Sequence, residues 1–260
     1  MKLGCCIKVA DVTTQYPVYT DFVELPAFSI MKMEKEAYAD LKRAVDEKKI
    51  NIYSTNGLTD MRLTGPEVDF PRLKEYIEGL FYKLAELNTR VIVFGSGKAK
   101  NVEEGFPREK AWEQLFEFGR LLSDEASKYG QTIAVEPLAY RETNIINTVE
   151  EAEYYIKNVN RSNFKYLVDF FHFDYNKEDF SVLEKYKDDL VHVHFASQVI
   201  RKLPVTEEDW LFVDKWMGVL KKIGYDGAVS FEGGSKPAEE MNGMLIKLAE
   251  AERRAEGLIC

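Results

Sequence analysis

The chain has 260 residues, 45% hydrophobic and 30% charged, a composition that supplies a full apolar core and excludes a disordered protein. Thirty-five basic against 44 acidic residues leave a net charge of −9, so general attraction to phosphate backbones or anionic lipid is absent and neither nucleic acid nor membrane is expected as a partner. The three cysteines, Cys5, Cys6 and Cys260, cannot make a disulfide framework and suit free thiols, with the cytoplasm as the default compartment.

Eight short apolar runs follow one another along the chain: Leu3 to Val9, Asp21 to Leu25, Ile50 to Ser54, Arg90 to Phe94, Gln131 to Glu136, Phe164 to Asp169, Leu190 to His194 and Gly227 to Glu232. Each is apolar on consecutive residues, as strands buried on both faces are. Leu3-Gly4-Cys5, with only Met1 and Lys2 before it, is expected to belong to the first strand rather than to a signal peptide. Between the runs the apolar residues take helical spacing: Leu73, Ile77, Leu80, Leu84 and Leu87; Trp112, Leu115, Phe116, Gly119, Leu122 and Ala126; Trp210, Val213, Met217 and Leu220. Strands alternating with helices at this length predict an α/β protein, one (β/α)8 barrel domain over residues 1–260. Only Ala10 to Thr20 joins the first two runs, at the short limit for a crossover, so the first helix is expected to be short or missing.

In such a barrel the chemistry sits at the carboxyl ends of the strands. Four consecutive runs end in metal-ligand side chains: Glu136, Asp169, His194 and Glu232. Three carboxylates and an imidazole converging in one pocket repel unless a cation joins them. An oxygen-dominated set with one nitrogen suits a single divalent ion, Mn2+ ahead of Mg2+, Co2+ and Zn2+. Taken singly, each carboxylate is as readily a helix cap or an ion-pair partner; taken together they favour the metal. The chain has only three histidines, His172, His192 and His194. His192 and His194 share a face of one strand, and His192, further from the carboxyl end, is expected to hydrogen-bond in the core.

These segments resemble the sugar phosphate isomerase/epimerase proteins of the xylose isomerase-like barrel superfamily, ketose 3-epimerases in particular. Glu136-Pro137-Leu138 with Glu142 resembles the family's Glu-Pro-Leu segment, which implies a metal-binding, proton-transferring Glu136 and a sugar contact at Glu142. Asp169-Phe170-Phe171-His172 resembles its Asp-x-x-His element, ligand then substrate contact. His192-Val193-His194 followed by Arg201 resembles its His-x-His strand, with a downstream arginine on substrate, and Ser230-Phe231-Glu232 resembles its last strand, whose glutamate is ligand and second acid/base. Where many ketose epimerases have Gly-Glu after the metal histidine, this chain has Phe195-Ala196-Ser197, which leaves the sugar open.

The resemblance and the residues together predict a metal-dependent isomerase or epimerase of a small carbohydrate, moving a proton beside a carbonyl through an enediolate, with Glu136 and Glu232 as the two acid/base groups. A dehydratase of an inosose or dehydroshikimate-like substrate would use the same scaffold and is separated by loss of water. A metal- or sugar-binding protein without turnover, and a nuclease resembling the superfamily's endonucleases, are the remaining alternatives; three histidines and net negative charge disfavour the last. Gly95-Ser96-Gly97-Lys98 lacks the residues of a phosphate loop and is expected to be a loop after the fourth strand. Glu24 and Asn56 point to the barrel mouth as hydrogen-bonding residues. Trp112 and Trp210 lie on apolar helix faces, and exposed Tyr154 and Tyr155 would suit a homodimer or homotetramer.

Overall fold

The computed structural model describes residues 1–257 other than Val199 and Ser235. The eight apolar runs form eight parallel strands that close in chain order into a barrel, with β1 hydrogen-bonded to β8. The order along the chain is β1 (Lys2–Cys6), α1 (Asp11–Thr14), β2 (Phe22–Pro26), α2 (Ala27–Met31), α3 (Lys35–Lys48), β3 (Ile52–Asn56), α4 (Phe70–Glu86), β4 (Val91–Phe94), α5 (Gly97–Lys100), α6 (Arg108–Ser127) and β5 (Thr132–Val135). It continues with α7 (Val149–Val159), β6 (Phe164–Asp169), α8 (Phe170–Tyr175), α9 (Ser181–Lys185), a 3-10 turn (Lys187–Asp189), β7 (Leu190–Phe195), α10 (Glu207–Lys222), β8 (Ala228–Phe231) and α11 (Ala238–Ala255). This is a TIM barrel, and its first helix is a single turn of four residues within the fifteen-residue connection from β1 to β2, the short first helix expected from the sequence.

Alternation along the strands separates two apolar layers. Val23, Leu25, Ile92, Phe94, Ile133, Val135, Val193, Val229 and Phe231 pack outward in one core with the helices. Val91, Val93, Ala134 and Leu167, with Tyr53 and Val191, form a separate inner cluster. Gly4 marks a close approach in the barrel: a Cβ there would lie 2.4 Å from the fully buried Phe22 ring. The long helices start at caps legible in the sequence. Asp69 accepts from Arg72 N, Thr148 from Glu151 N, and Thr206 with Asp209 makes a reciprocal capping box on α10.

Several expectations need correction. The first strand ends at Cys6 rather than Val9, and the third runs Ile52–Asn56, two residues later than its apolar run. Gly97 and Lys98 open the short helix α5 rather than continuing a loop. Tyr154 is exposed, but Tyr155 is buried, donates to the Leu115 carbonyl and packs on Phe164 with ring centroids 4.9 Å apart. Adjacent helical residues point about 100° apart, so only one of the pair faces solvent. Cys5 and Cys6 are free buried thiols, and Cys260 lies outside the described residues. Among the described residues no helix is long and apolar enough to cross a membrane.

Candidate active site

Each of the four strand-end donors is positioned by the backbone of its neighbours. Glu136 follows β5 directly and its N–H donates to the Phe94 carbonyl at 3.0 Å. Asp169 closes β6 and also caps α8: Oδ1 accepts from Phe171 N at 2.8 Å, leaving Oδ2 to the barrel interior. His194 sits in register with Asp169 on one side and Ser230 on the other. Glu232 follows β8, its N–H on the Phe195 carbonyl at 2.9 Å. One ligand atom from each of Glu136, Asp169, His194 and Glu232 falls within 4.8 Å of the others. His194 Nδ1 lies 2.9 Å from Glu232 Oε2 and 3.7 Å from Glu136 Oε1.

Behind His194 stands Glu24 of β2, fully buried. It accepts from His192 Nε2 at 2.6 Å, from His194 Nε2 at 3.1 Å and from the Ser230 hydroxyl. An ionised carboxylate only accepts, so both imidazoles present Nε2–H to it. Burial would raise the Glu24 carboxyl, yet the two histidines beside it hold it well below the usual carboxylate range. Burial likewise opposes charge on His194, and Glu24 and Glu232 outweigh it, raising its pKa well above that of a free imidazole. Cys6 also approaches Glu24 and His194, but burial pushes its thiol well up, so it stays protonated.

The residues fit a divalent ion. Glu136 Oε1 is buried without a hydrogen-bond partner, and His194 Nδ1 faces the same donor cluster 3.7 Å from it. An imidazole whose far nitrogen donates to a carboxylate is the orientation that metal-binding histidines take. Gly95 makes the space: a Cβ there would come 2.3 Å from Glu136 Oε2.

The other residues singled out in the sequence are gathered at the same place. Arg201 Nη2 donates to Asp169 Oδ2 at 2.5 Å and to Glu232 Oε2, and Nη1 meets His172 Nε2 at 2.8 Å. His172 is buried, with Nε2 3.8 Å from Glu136 Oε1 and Nδ1 3.8 Å from Glu142 Oε1. Glu232 is partly buried among these charges; desolvation would raise its carboxyl, but Arg201 and His194 keep it well below the usual carboxylate range and therefore ionised at neutral pH. Asn56 donates to Glu232 Oε1 at 3.1 Å, so it holds a site carboxylate. His192 is the deeper histidine, bonded to Glu24 and away from the donor cluster. One residue escaped notice. Lys100 is fully buried, its ammonium donates to the Glu136 carbonyl at 3.1 Å, and burial lowers its pKa to about 7. Its only signal is a lysine closing Gly97-Lys98-Ala99-Lys100, and α5 decides which lysine turns inward.

Comparison with known proteins finds curated relatives named as sugar 3-epimerases. A ketose 3-epimerase of Arthrobacter globiformis is 31% identical over 112 residues, 43% of this chain and 38% of that protein, so the match spans under half the relative's length. A D-psicose 3-epimerase of Ruminiclostridium cellulolyticum is 24% identical over 234 residues, 84% of this chain and 78% of the relative. Among solved structures, a 3-keto-D-glucoside 4-epimerase from E. coli shares the fold with a TM-score of 0.75 at 19% identity, over 96% of this chain and 98% of that one. A family model described as xylose isomerase-like TIM barrel matches residues 20–251. The chain therefore belongs to the xylose isomerase-like TIM barrel family.

Proposed function

We propose that this protein is a divalent-metal-dependent sugar isomerase or epimerase that moves a proton at a carbon beside a carbonyl, with Glu136 and Glu232 as the acid/base pair. The observation that carries the reading is the convergence of Glu136, Asp169, His194 and Glu232 on one point at the carboxyl ends of β5 to β8. The relatives are named as sugar epimerases, which supports a small carbohydrate as substrate.

Glu136, Asp169, His194 and Glu232 would hold the ion, Mn2+ being the best match to three oxygens and one nitrogen. When bound, it supplies Lewis-acid polarisation of a carbonyl and makes the neighbouring C–H more acidic. The rest is the work of the chain. Glu136 and Glu232 come from strands separated by β6 and β7 and reach the centre from different directions, so one carboxylate can take a proton and the other can return one. Return to the opposite face of the same carbon is epimerisation; return to the adjacent carbon of the enediolate is aldose–ketose isomerisation. His172, Glu142 and Arg201 line the approach and would fix sugar hydroxyls. Asn56 and Glu24 hold Glu232 and His194 in place.

The test is metal analysis of protein purified without chelator, with Mn2+-supplemented incubation against ketoses, aldoses and inososes followed by chromatography and mass spectrometry. One ion per chain and mass-neutral interconversion are expected. Loss of water would move the protein to the dehydratases, and metal and sugar binding without any conversion would make it a binding protein.

A further inference from the structure

The positive charge among the four donors is supplied by the chain itself. Arg201 Nη2 donates to Asp169 Oδ2 at 2.5 Å and to Glu232 Oε2, and lies 3.7 Å from Glu136 Oε1. Its Nε donates to the Glu232 carbonyl at 2.9 Å. A small divalent ion binds carboxylate oxygens at about 2.0–2.2 Å, using lone pairs that here accept the guanidinium. Two cations would then share one buried centre, where like charges repel strongly.

We propose that Arg201 is an internal counter-cation that competes with the divalent ion for Asp169 and Glu232, so that loading of the ion moves the guanidinium out of the donor cluster. The inference rests on the metal reading above and concerns what this arginine does before substrate arrives. The surroundings permit the movement. Arg201 belongs to the segment between β7 and α10 and to no strand. Backbone hydrogen bonds there are local: Ser197 N to Lys202 O at 2.9 Å and Lys202 N to Ile200 O at 2.5 Å. Its neighbours Ile200 and Lys202 border a cavity of about 390 Å³ lined also by Ser197, Leu203 and Thr206.

The competition is read without turnover, by titrating Mn2+ into wild type and Arg201→Met with no sugar present and following the free-ion EPR signal. The variant is expected to bind Mn2+ at least tenfold more tightly. Equal or weaker binding by a variant with native circular dichroism overturns the inference and leaves the metal reading standing. Should the variant not fold, wild type carries the test: amide exchange over residues 200–205 should quicken when Mn2+ is added, and unchanged or slower exchange overturns the proposal. Failure of wild type to bind Mn2+, Co2+ or Zn2+ at all overturns the metal reading and this inference together.

Discussion

Glu24 accepts from His192, His194 and Ser230 at once, and through those bonds it sets the ring of His194 with Nδ1 toward the donor cluster. The carboxylate is therefore a positioning residue for the nitrogen, in the way partners of metal-bound histidines are. Glu232 is different, since it faces the centre itself and is kept ionised by Arg201 and His194. Glu232→Gln keeps the side-chain shape and removes the base; turnover should fall by about 10²–10⁴ while sugar binding stays measurable by calorimetry on metal-checked protein. Turnover within tenfold of wild type would sink the two-carboxylate scheme. Glu136, Asp169, His194 and Glu232 were legible because each ends an apolar run, a purely local pattern. The inward turn of Lys100 was not, because it depends on a four-residue helix placing one lysine of two under Glu136.

At the scale of elements, strand ends and helix starts do the positioning. Asp169 serves both, with one oxygen capping α8 and the other facing the centre. The start of α7 is held similarly from outside by Glu178, whose Oε2 accepts from Val149 N at 2.8 Å. Burial pushes the Glu178 carboxyl up to about 7, with Glu150 and Glu151 adding to the rise. A carboxyl raised in the folded state binds more protons there than in the unfolded chain, so its contribution to stability falls as pH rises from the unfolded carboxylate value through about 7. Glu178→Gln removes that titration and keeps an acceptor for Val149. Denaturant unfolding at pH 8 should show the variant more stable than wild type by roughly 1–2 kcal/mol, after screening of a half-buried side chain is allowed for, with the gain absent at pH 4. A gain independent of pH would assign the effect to packing instead.

For the whole molecule, closure of the barrel is what gathers donors from four separate strands, and an ion bound by all four would tie β5 to β8 together. Binding to the folded state alone stabilises by about 2.7 kcal/mol at one hundred times Kd. For a protein of this size that corresponds to a rise of about 5–10 °C in Tm. Melting curves with excess Mn2+ against EDTA should show it, and coincident curves would remove the cluster as a metal centre. The sequence by itself determined the eight strands, their order, the short first connection and which strand ends carry carboxylate or imidazole, because these follow from apolar runs, helical spacing and residue type along a continuous stretch. Only the tertiary structure decided that Glu24 lies against His194, 170 residues away, that Arg201 enters the carboxylate cluster and that Tyr155 turns into the core. The reason is that strand neighbours and side-chain reach across the barrel are set by closure and register, and distance along the chain carries no record of either.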